Sequence, residues 1–308
     1  MLDVMIIAYN EAVNLPHCLA SLNGWVNRVF VIDSGSTDGT QEIARAYGAV
    51  VVHHAWEGYA RQKNWGLREL PFESDWLLLL DADEVVTPEL RAKIESIVKQ
   101  PVDQVRENGF FINRLTYFMG KPIRHCGYFP NWNMRLFKRG KGRFEDREVH
   151  EHVIIDDPVG RIRECLLHDD RRGLEHYFAK HNRYSTLEAQ ATFREITQGT
   201  RPADEVNISL QSRLRRWAKR NLLPRLPFPG LWRFLYMYVL QLGFLDGRTG
   251  FQFAAFISGY DWMVSLKLRE LRQRAQRGEK LEFAPPALAQ PEGTQGGETP
   301  VNVAHRSE

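Results

Sequence analysis

The sequence predicts an α/β fold: a mostly parallel central sheet flanked by helices, followed by a basic, amphipathic helical region toward the carboxyl end. Three observations carry this. Near-continuous apolar runs alternate with helical patterns over the first 115 residues, the pattern of strands buried on both faces and linked by helices. Three of those runs end in acids, amides and small hydroxyls: Tyr9-Asn10-Glu11, Asp33-Ser34-Gly35-Ser36-Thr37-Asp38 and Asp81-Ala82-Asp83-Glu84. Charge is uneven, since residues 209–280 hold 14 Lys/Arg against 4 Asp/Glu in a 308-residue chain whose net charge is only +3.

Taken in order, DVMIIAY (3–9) is a strand, and NLPHCLASL (14–22) opens with Asn14 and Pro16, start signals for a helix. RVFVIDSGSTDGT (28–40) is a buried strand running into a turn. QEIARAYG (41–48) is a helix stopped by Gly48, and AVVVHHA (49–55) is a third strand. WLLLLDADE (76–84) is the strongest strand. TPELRAKIESIVKQ (87–100) is a helix with Thr87 as cap and Pro88 at its first position. Beyond residue 109, GFFINRLTYFMG (109–120) and NMRLFKRGKGRF (133–144) read as strands, and 174–199 as a helix. Residues 209–280 read as helices broken by PRLPFPG (224–230) and GRTG (247–250), and the polar stretch from residue 284 to 308 as a disordered tail.

Composition narrows the class. Hydrophobic residues at 43% and charged residues at 26% exclude a fibrous or wholly disordered chain. Three cysteines, Cys18, Cys126 and Cys165, at unrelated spacings exclude a disulfide scaffold and a CxxC metal knuckle, and fit a reducing compartment. The start, MLDVMIIAYNE, lacks the basic segment of a signal peptide and reads as a strand. No GxxxxGK[ST] occurs, and DSGSTDGT lacks the glycine spacing of a dinucleotide loop.

In open α/β sheets a ligand sits outside the carboxyl ends of the strands. There, an Asp-x-Asp offers few, hard oxygen ligands, which suits Mg²⁺ or Mn²⁺ with phosphates completing the shell. Asp81 and Asp83 alternate in facing, so one meets the metal while the other holds a sugar hydroxyl or water; the plainer alternative is that Asp81–Glu84 only end the strand. Asp33 either accepts from a nucleobase or ribose or closes an Asx turn. Arg61, Lys63 and Asn64, at a helix start, either neutralise a diphosphate or form a solvated face. Arg135 binds phosphate or a phosphorylated acceptor, or lies as a strand-surface charge.

Together, Tyr9-Asn10-Glu11, the Asp33-Ser34 turn, Lys63-Asn64 and Asp81-Ala82-Asp83-Glu84 resemble the nucleotide-sugar half of family 2 glycosyltransferases with the GT-A fold, over roughly residues 1–170. Val149-His150-Glu151, Lys180 and GFLDGRTGFQFA (243–254) resemble one branch, the bacterial lipopolysaccharide inner-core β-1,4-glucosyltransferases, which add glucose to a heptose. The resemblance implies a UDP-sugar donor, a divalent cation (Mg²⁺ or Mn²⁺) at Asp81 and Asp83, inversion at the anomeric carbon and a lipid-linked glycan acceptor. Tyr9, Asn10, Glu11, Asp33, Ser34, Lys63, Asn64, Asp81 and Ala82 then line the nucleotide-sugar site.

Inversion by single displacement needs a carboxylate to take the acceptor's proton. The stretch GRFEDREVHEHV (142–153) lies where the family keeps that base. Its candidates are Glu145, Asp146, Glu148 and Glu151, with Glu151 first and Asp146 second; His150 and His152 would position the base. His168 either completes the metal or pyrophosphate site, as a downstream histidine does in some GT-A enzymes, or is structural. Alternatives to lipid-linked glycan transfer are a polyprenyl-phosphate sugar transferase and a non-catalytic nucleotide-sugar binder.

GLWRFLYMYVLQLGFL (230–245) is the most apolar stretch, yet it falls short of the ~20 residues of a bilayer span. With Arg213, Arg215, Arg216 and Lys219 before it, it reads as a peripheral element on an anionic membrane, inserting Trp232, Phe234 and Tyr238. The alternative is a helical subdomain packed on the catalytic part. No nucleic-acid motif accompanies the charge, so no nucleic-acid partner is expected. The expected organisation is a catalytic domain over 1–205, the basic helical region over 206–283 and the tail over 284–308, in a cytoplasmic protein at the inner face of the bacterial inner membrane.

Overall fold

The computed structural model describes residues 1–144, 153–155, 158–198, 229–281 and 283. Its amino-terminal half interleaves β1 (Leu2–Ala8), α1 (Leu15–Ala20), β2 (Arg28–Asp33), α2 (Thr40–Ala46), β3 (Val50–His53), α3 (Tyr59–Glu69) and β4 (Trp76–Asp81). β3, β2, β1 and β4 lie side by side, all parallel. Alternation explains why β4 needs apolar residues throughout. Trp76, Leu78 and Leu80 enter one core beside Leu15, Leu19 and Leu90, while Leu77 and Leu79 enter the other beside Phe30, Phe72 and Phe137.

After β4 come β5 (Glu84–Val86), α4 (Pro88–Val98), β6 (Gly109–Phe118), β7 (Lys121–Pro122), β8 (Trp132–Lys138), β9 (Gly142–Phe144), β10 (Val153–Ile155) and β11 (Val159–His168). β8 is antiparallel to both β4 and β6, whereas β11 runs parallel to β6. The run 133–144, expected as one strand, is two, β8 and β9; Gly140 takes a left-handed φ of 77° in the turn between them.

The strand order is β3-β2-β1-β4-β8-β6-β11-β5. Only Ala82 and Asp83 separate β4 from β5 in the chain, yet β5 pairs at the end of that order, antiparallel to β11 with Glu84 opposite His168. The sheet must therefore curl, bringing its last strand back toward β4.

The remaining described elements are α5 (Gly173–Gln198), α6 (Pro229–Leu235), a π-helical turn (Tyr236–Leu240), a 3₁₀ turn (Gly243–Asp246) and α7 (Gly247–Gln276). They do not stand apart from the sheet. Phe118, Ile123 and Cys126, from β6 and the loop after β7, share one buried cluster with Met237, Phe253, Ala254 and Ile257. The boundary expected at 205/206, the cations at 213–219 and the tail 284–308 lie outside the described residues. Among the described residues, no helix is long and apolar enough to cross a membrane.

Candidate active site

The carboxyl ends of β1 and β2 form one stitched platform. Asn10, at φ 52°, donates its backbone N–H to Ser36 Oγ (2.9 Å), and its Oδ1 accepts from Thr37 N (2.9 Å). Glu11 N and Ala12 N donate to Thr40 Oγ1 (2.8 Å) and Asp38 Oδ2 (3.0 Å). Asp33 is fully buried and turned into its own loop, accepting from Gly35 N and Ser36 N (both 2.9 Å), Gln41 Nε2 (2.7 Å) and the Ser36 hydroxyl. This geometry matches the Asx-turn reading and leaves its oxygens filled. Ser34 is buried as well, its hydroxyl accepting from Gln62 Nε2 (3.0 Å), while Gln62 Oε1 meets His54 Nδ1 at 2.7 Å. Tyr9 is buried and its hydroxyl has no partner.

The two aspartates after β4 diverge, though not by simple alternation along a strand. Asp81 ends β4 and faces Arg135 (2.6 Å) and Lys63 (3.5 Å). Burial would raise its carboxyl pKa, but the charges of Arg135 and Lys63 hold it well below the usual range. Asp83 is carried away by the turn into β5, where its carbonyl accepts from Asp169 N (3.0 Å) and its Oδ2 sits 3.3 Å from His168 Nε2 and 3.9 Å from Lys180 Nζ. Against burial, His168 and Lys180 lower the Asp83 pKa. Sheet curling thus unites residues from β5 and β11 that the chain keeps far apart.

Arg135 is not a strand-surface charge, and its guanidinium is held by carboxylates of the chain itself. It is buried and bridges Asp81 and the fully buried Glu84 (2.5 Å), with Arg114 3.8 Å from Glu84. That correction follows from register: Arg135 lies on β8, between β4 and β6, and points along the buried interior. Asn64 is likewise engaged, donating to Phe144 O (2.9 Å) and accepting from Phe144 N (2.8 Å), so it pins β9 to α3. Lys63 is buried beside Asp81, with the rings of Phe144 and Tyr59 at 5.2 and 6.0 Å. Glu145, Asp146, Glu148, His150, Glu151 and His152 lie outside the described residues.

Several site residues escaped sequence reading. Arg172 joins Glu11 (2.8 Å) to Asp170 (2.7 Å), and Asn14 donates to Glu11 (2.8 Å) and Asp170 (3.1 Å). Lys180, which the branch resemblance singles out, completes the group, 3.4 Å from Asp170. Burial and the neighbouring Asp83 charge push Glu11 up to about 7, against Arg172. Tyr59 and Tyr184 share a 2.6 Å hydroxyl contact between α3 and α5. The Asp-Asp-Arg-Arg run at 169–172 was the available signal.

Among the described residues no cluster of three or more His, Cys, Asp and Glu side chains could hold a metal alone. The Asp83 carboxylate and His168 imidazole nonetheless converge, and His168 Nδ1 is buried without a partner, leaving a ring nitrogen with unused bonding capacity. Such a pair suits a divalent cation whose other positions are filled by phosphate oxygens.

A family model described as Glycosyl transferase family 2 matches residues 3–160. The lipopolysaccharide core biosynthesis glycosyltransferase LpsC of Rhizobium meliloti (strain 1021) is 32% identical over 213 residues, covering 65% of this chain and 74% of the relative. An uncharacterized glycosyltransferase of Rickettsia bellii (strain RML369-C) is 27% identical over 281 residues, covering 88% and 86%. The mannosyltransferase PcManGT of Pyrobaculum calidifontis, solved with GDP-Man and Mn²⁺, aligns with a TM-score of 0.50 at 16% identity, covering 87% of this chain and 86% of that one. That last likeness is one of fold. The curled α/β sheet with its acid-bearing strand ends is that of a GT-A glycosyltransferase. The chain belongs to glycosyl transferase family 2 and is a glycosyltransferase.

Proposed function

We propose that this enzyme transfers a hexose, glucose by resemblance, from a UDP-sugar to a lipid-linked glycan such as the heptose of a lipopolysaccharide inner core, with inversion. The 32% identity to LpsC supports the glycan class. One observation supports the donor reading: Asp83, His168 and Lys180 converge at the carboxyl edge of the sheet, where ligands of open α/β sheets sit and where a nucleoside diphosphate and its cation would find both charges and a carboxylate.

Asp83 and His168 are assigned to a Mg²⁺ or Mn²⁺ ion, which supplies charge neutralisation for the diphosphate leaving group. Asp81, kept ionised by Arg135 and Lys63, faces the donor's hydroxyls. Tyr9, with its unpartnered hydroxyl, and the Asn10-Glu11 backbone floor the nucleotide pocket, while Asp33, Ser34 and Asn64 shape the loops around it. Glu151, or failing it Asp146, takes the acceptor hydroxyl's proton. The acceptor oxygen bonds to the anomeric carbon as the bond to the diphosphate oxygen breaks, and that electron pair leaves with UDP. In this reading residues 1–205 carry the chemistry and 206–283 the acceptor-facing surface.

The test is turnover of a UDP-sugar panel with Mn²⁺, Mg²⁺ or EDTA, with and without a heptose acceptor. Asp83→Ala should abolish turnover with the fold intact; turnover in EDTA overturns the cation assignment. Glu151→Gln should leave UDP-sugar affinity unchanged and lower turnover ~10²–10⁴-fold, the worth of a placed general base. Undiminished turnover in both Glu151→Gln and Asp146→Asn would instead point to a phosphate acceptor, which arrives already ionised.

A further inference from the structure

α6 and α7 form a helical hairpin, with Gly230 lying against Ser258 and Trp262 at one end and Gly243 against Gly250 at the other. Its tip is built to a fixed shape. A Cβ on Gly250 would stand 2.1 Å from Gly243 O, so the 3₁₀ turn rests directly on the first turn of α7. The Asp246 carboxylate accepts from Arg124 N (3.1 Å) and His125 N (2.8 Å) and meets His125 Nδ1 (2.8 Å), while Gln241 O accepts from Cys126 N (3.0 Å). Leu242 holds a left-handed φ of 57°, an unfavourable conformation for a branched residue.

What this rigid tip presents is apolar. Leu240 is 71% exposed, Leu245 57%, Val239 49%, and Leu242 and Phe244 46% each. Of the three aromatics expected to insert, Phe234 and Tyr238 instead stack on each other and meet Phe251 edge-on within the hairpin, while Trp232 is 46% exposed. Exposed cations border the tip along the chain: Arg248 follows it, and Arg124, whose backbone N–H donates to Asp246, lies on the segment it grips, with Lys121 three residues earlier. The one acid in residues 229–260 is Asp246, whose side chain is 6% exposed and turned inward onto the 124–125 segment.

We propose that this hairpin tip is a lipid-surface wedge that inserts Leu240, Leu242, Phe244 and Leu245 into the interface of an anionic bilayer, with Lys121, Arg124 and Arg248 against its headgroups. A contiguous apolar patch with a cationic rim matches the two-part chemistry of such a surface. A second copy fits poorly, because a twofold contact at the tip would set both cationic rims against each other. The wedge deepens the lipid-linked-acceptor reading, but its test involves no acceptor.

Full-length protein should co-sediment with phosphatidylethanolamine/phosphatidylglycerol vesicles, less with phosphatidylcholine, and less as salt rises. Leu240→Glu/Leu245→Glu should lower partitioning at least tenfold while UDP-sugar hydrolysis stays as in wild type, which separates the wedge from the site reading. Leu240→Ser/Leu245→Ser gives the same comparison should the charged variant fold poorly. Arg124→Glu/Arg248→Glu should remove the preference for anionic vesicles. Undiminished sedimentation of both double-leucine variants, equal binding to neutral vesicles, or a solution dimer that the leucine substitutions dissociate would each overturn the proposal.

Discussion

Glu84 shows what a single buried charge demands. It is fully inaccessible, and its oxygens accept from Arg135 and from the Asp81 N–H (2.9 Å). Arg135→Met leaves that carboxylate without its main counter-charge, so we expect a loss of about 3–5 kcal/mol in urea unfolding. Arg91→Ala, which removes an exposed partner of Glu95, should leave the urea midpoint nearly unchanged. Acid and base limbs of stability trace to different residues. Burial would raise the Asp170 pKa, but Arg172 and Lys180 hold it far below the usual range. Its contribution is present above the ordinary 3.8 and is lost as pH falls below it. Glu11 has the opposite sign: the folded chain keeps a proton that the unfolded chain releases between 4.5 and about 7, so stability falls as pH rises through that window. Glu11→Gln should flatten that slope in unfolding measured with EDTA from pH 5 to 7.5. Asp81 and Asp83 were conspicuous in the sequence as positions, because two acids close an otherwise all-leucine run. The roles of Glu84, Arg172 and Gln62 were not legible, because each is defined by a partner on another element that local pattern does not reveal.

At the scale of elements, α3 decides two things. Gly66 is where it presses on the sheet, since a Cβ there would lie 2.4 Å from Ile32 Cδ1 and 2.5 Å from Met5 Sδ. Gly66→Ala should therefore destabilise by ~1–3 kcal/mol through overpacking, despite alanine's better helix propensity. Two residues earlier, Asn64 grips both backbone groups of Phe144, the last described residue before the acid-rich stretch. On the proposed assignment of the general base to Glu151 or Asp146, Asn64→Ala should lower kcat by up to ~10²-fold while changing KM for the donor less, because displacing such a carboxylate by about 1 Å has that effect. The parallel strands and capped helices were readable from apolar periodicity and from Thr87, whose Oγ1 accepts from Leu90 N (3.2 Å). The destination of β5 was not, since three residues, Glu84–Val86, carry no sign of which edge they will join.

For the whole molecule, the shared cluster of Phe118, Ile123, Met237, Phe253 and Ile257 makes the carboxyl-terminal helices part of the fold that holds the site. α5 strengthens that union: Lys180 reaches Asp83, and Tyr260 of α7 donates to Glu188 of α5 (2.6 Å). A chain ending at residue 205 should expose that cluster and aggregate, whereas one ending at 283 should unfold as cooperatively as the full chain in calorimetry. Composition marked 206–283 as distinct by charge, but charge reports on a surface and says nothing about what the apolar faces of the same helices bury.

The curled sheet also imposes a timetable. Asn14 and Asp170, bonded side by side at the finished site, are 156 residues apart in the chain. At a synthesis rate of ~5–20 residues per second, Asn14 waits about 8–30 s for its partner to be made. Through that interval the strands from β1 to β4 can pair while the proposed place for the diphosphate is incomplete. On that proposal a nascent chain on the ribosome gains the Asp83–His168–Lys180 group only once β11 and the start of α5 have emerged, so cation-dependent donor binding should appear no earlier than that point.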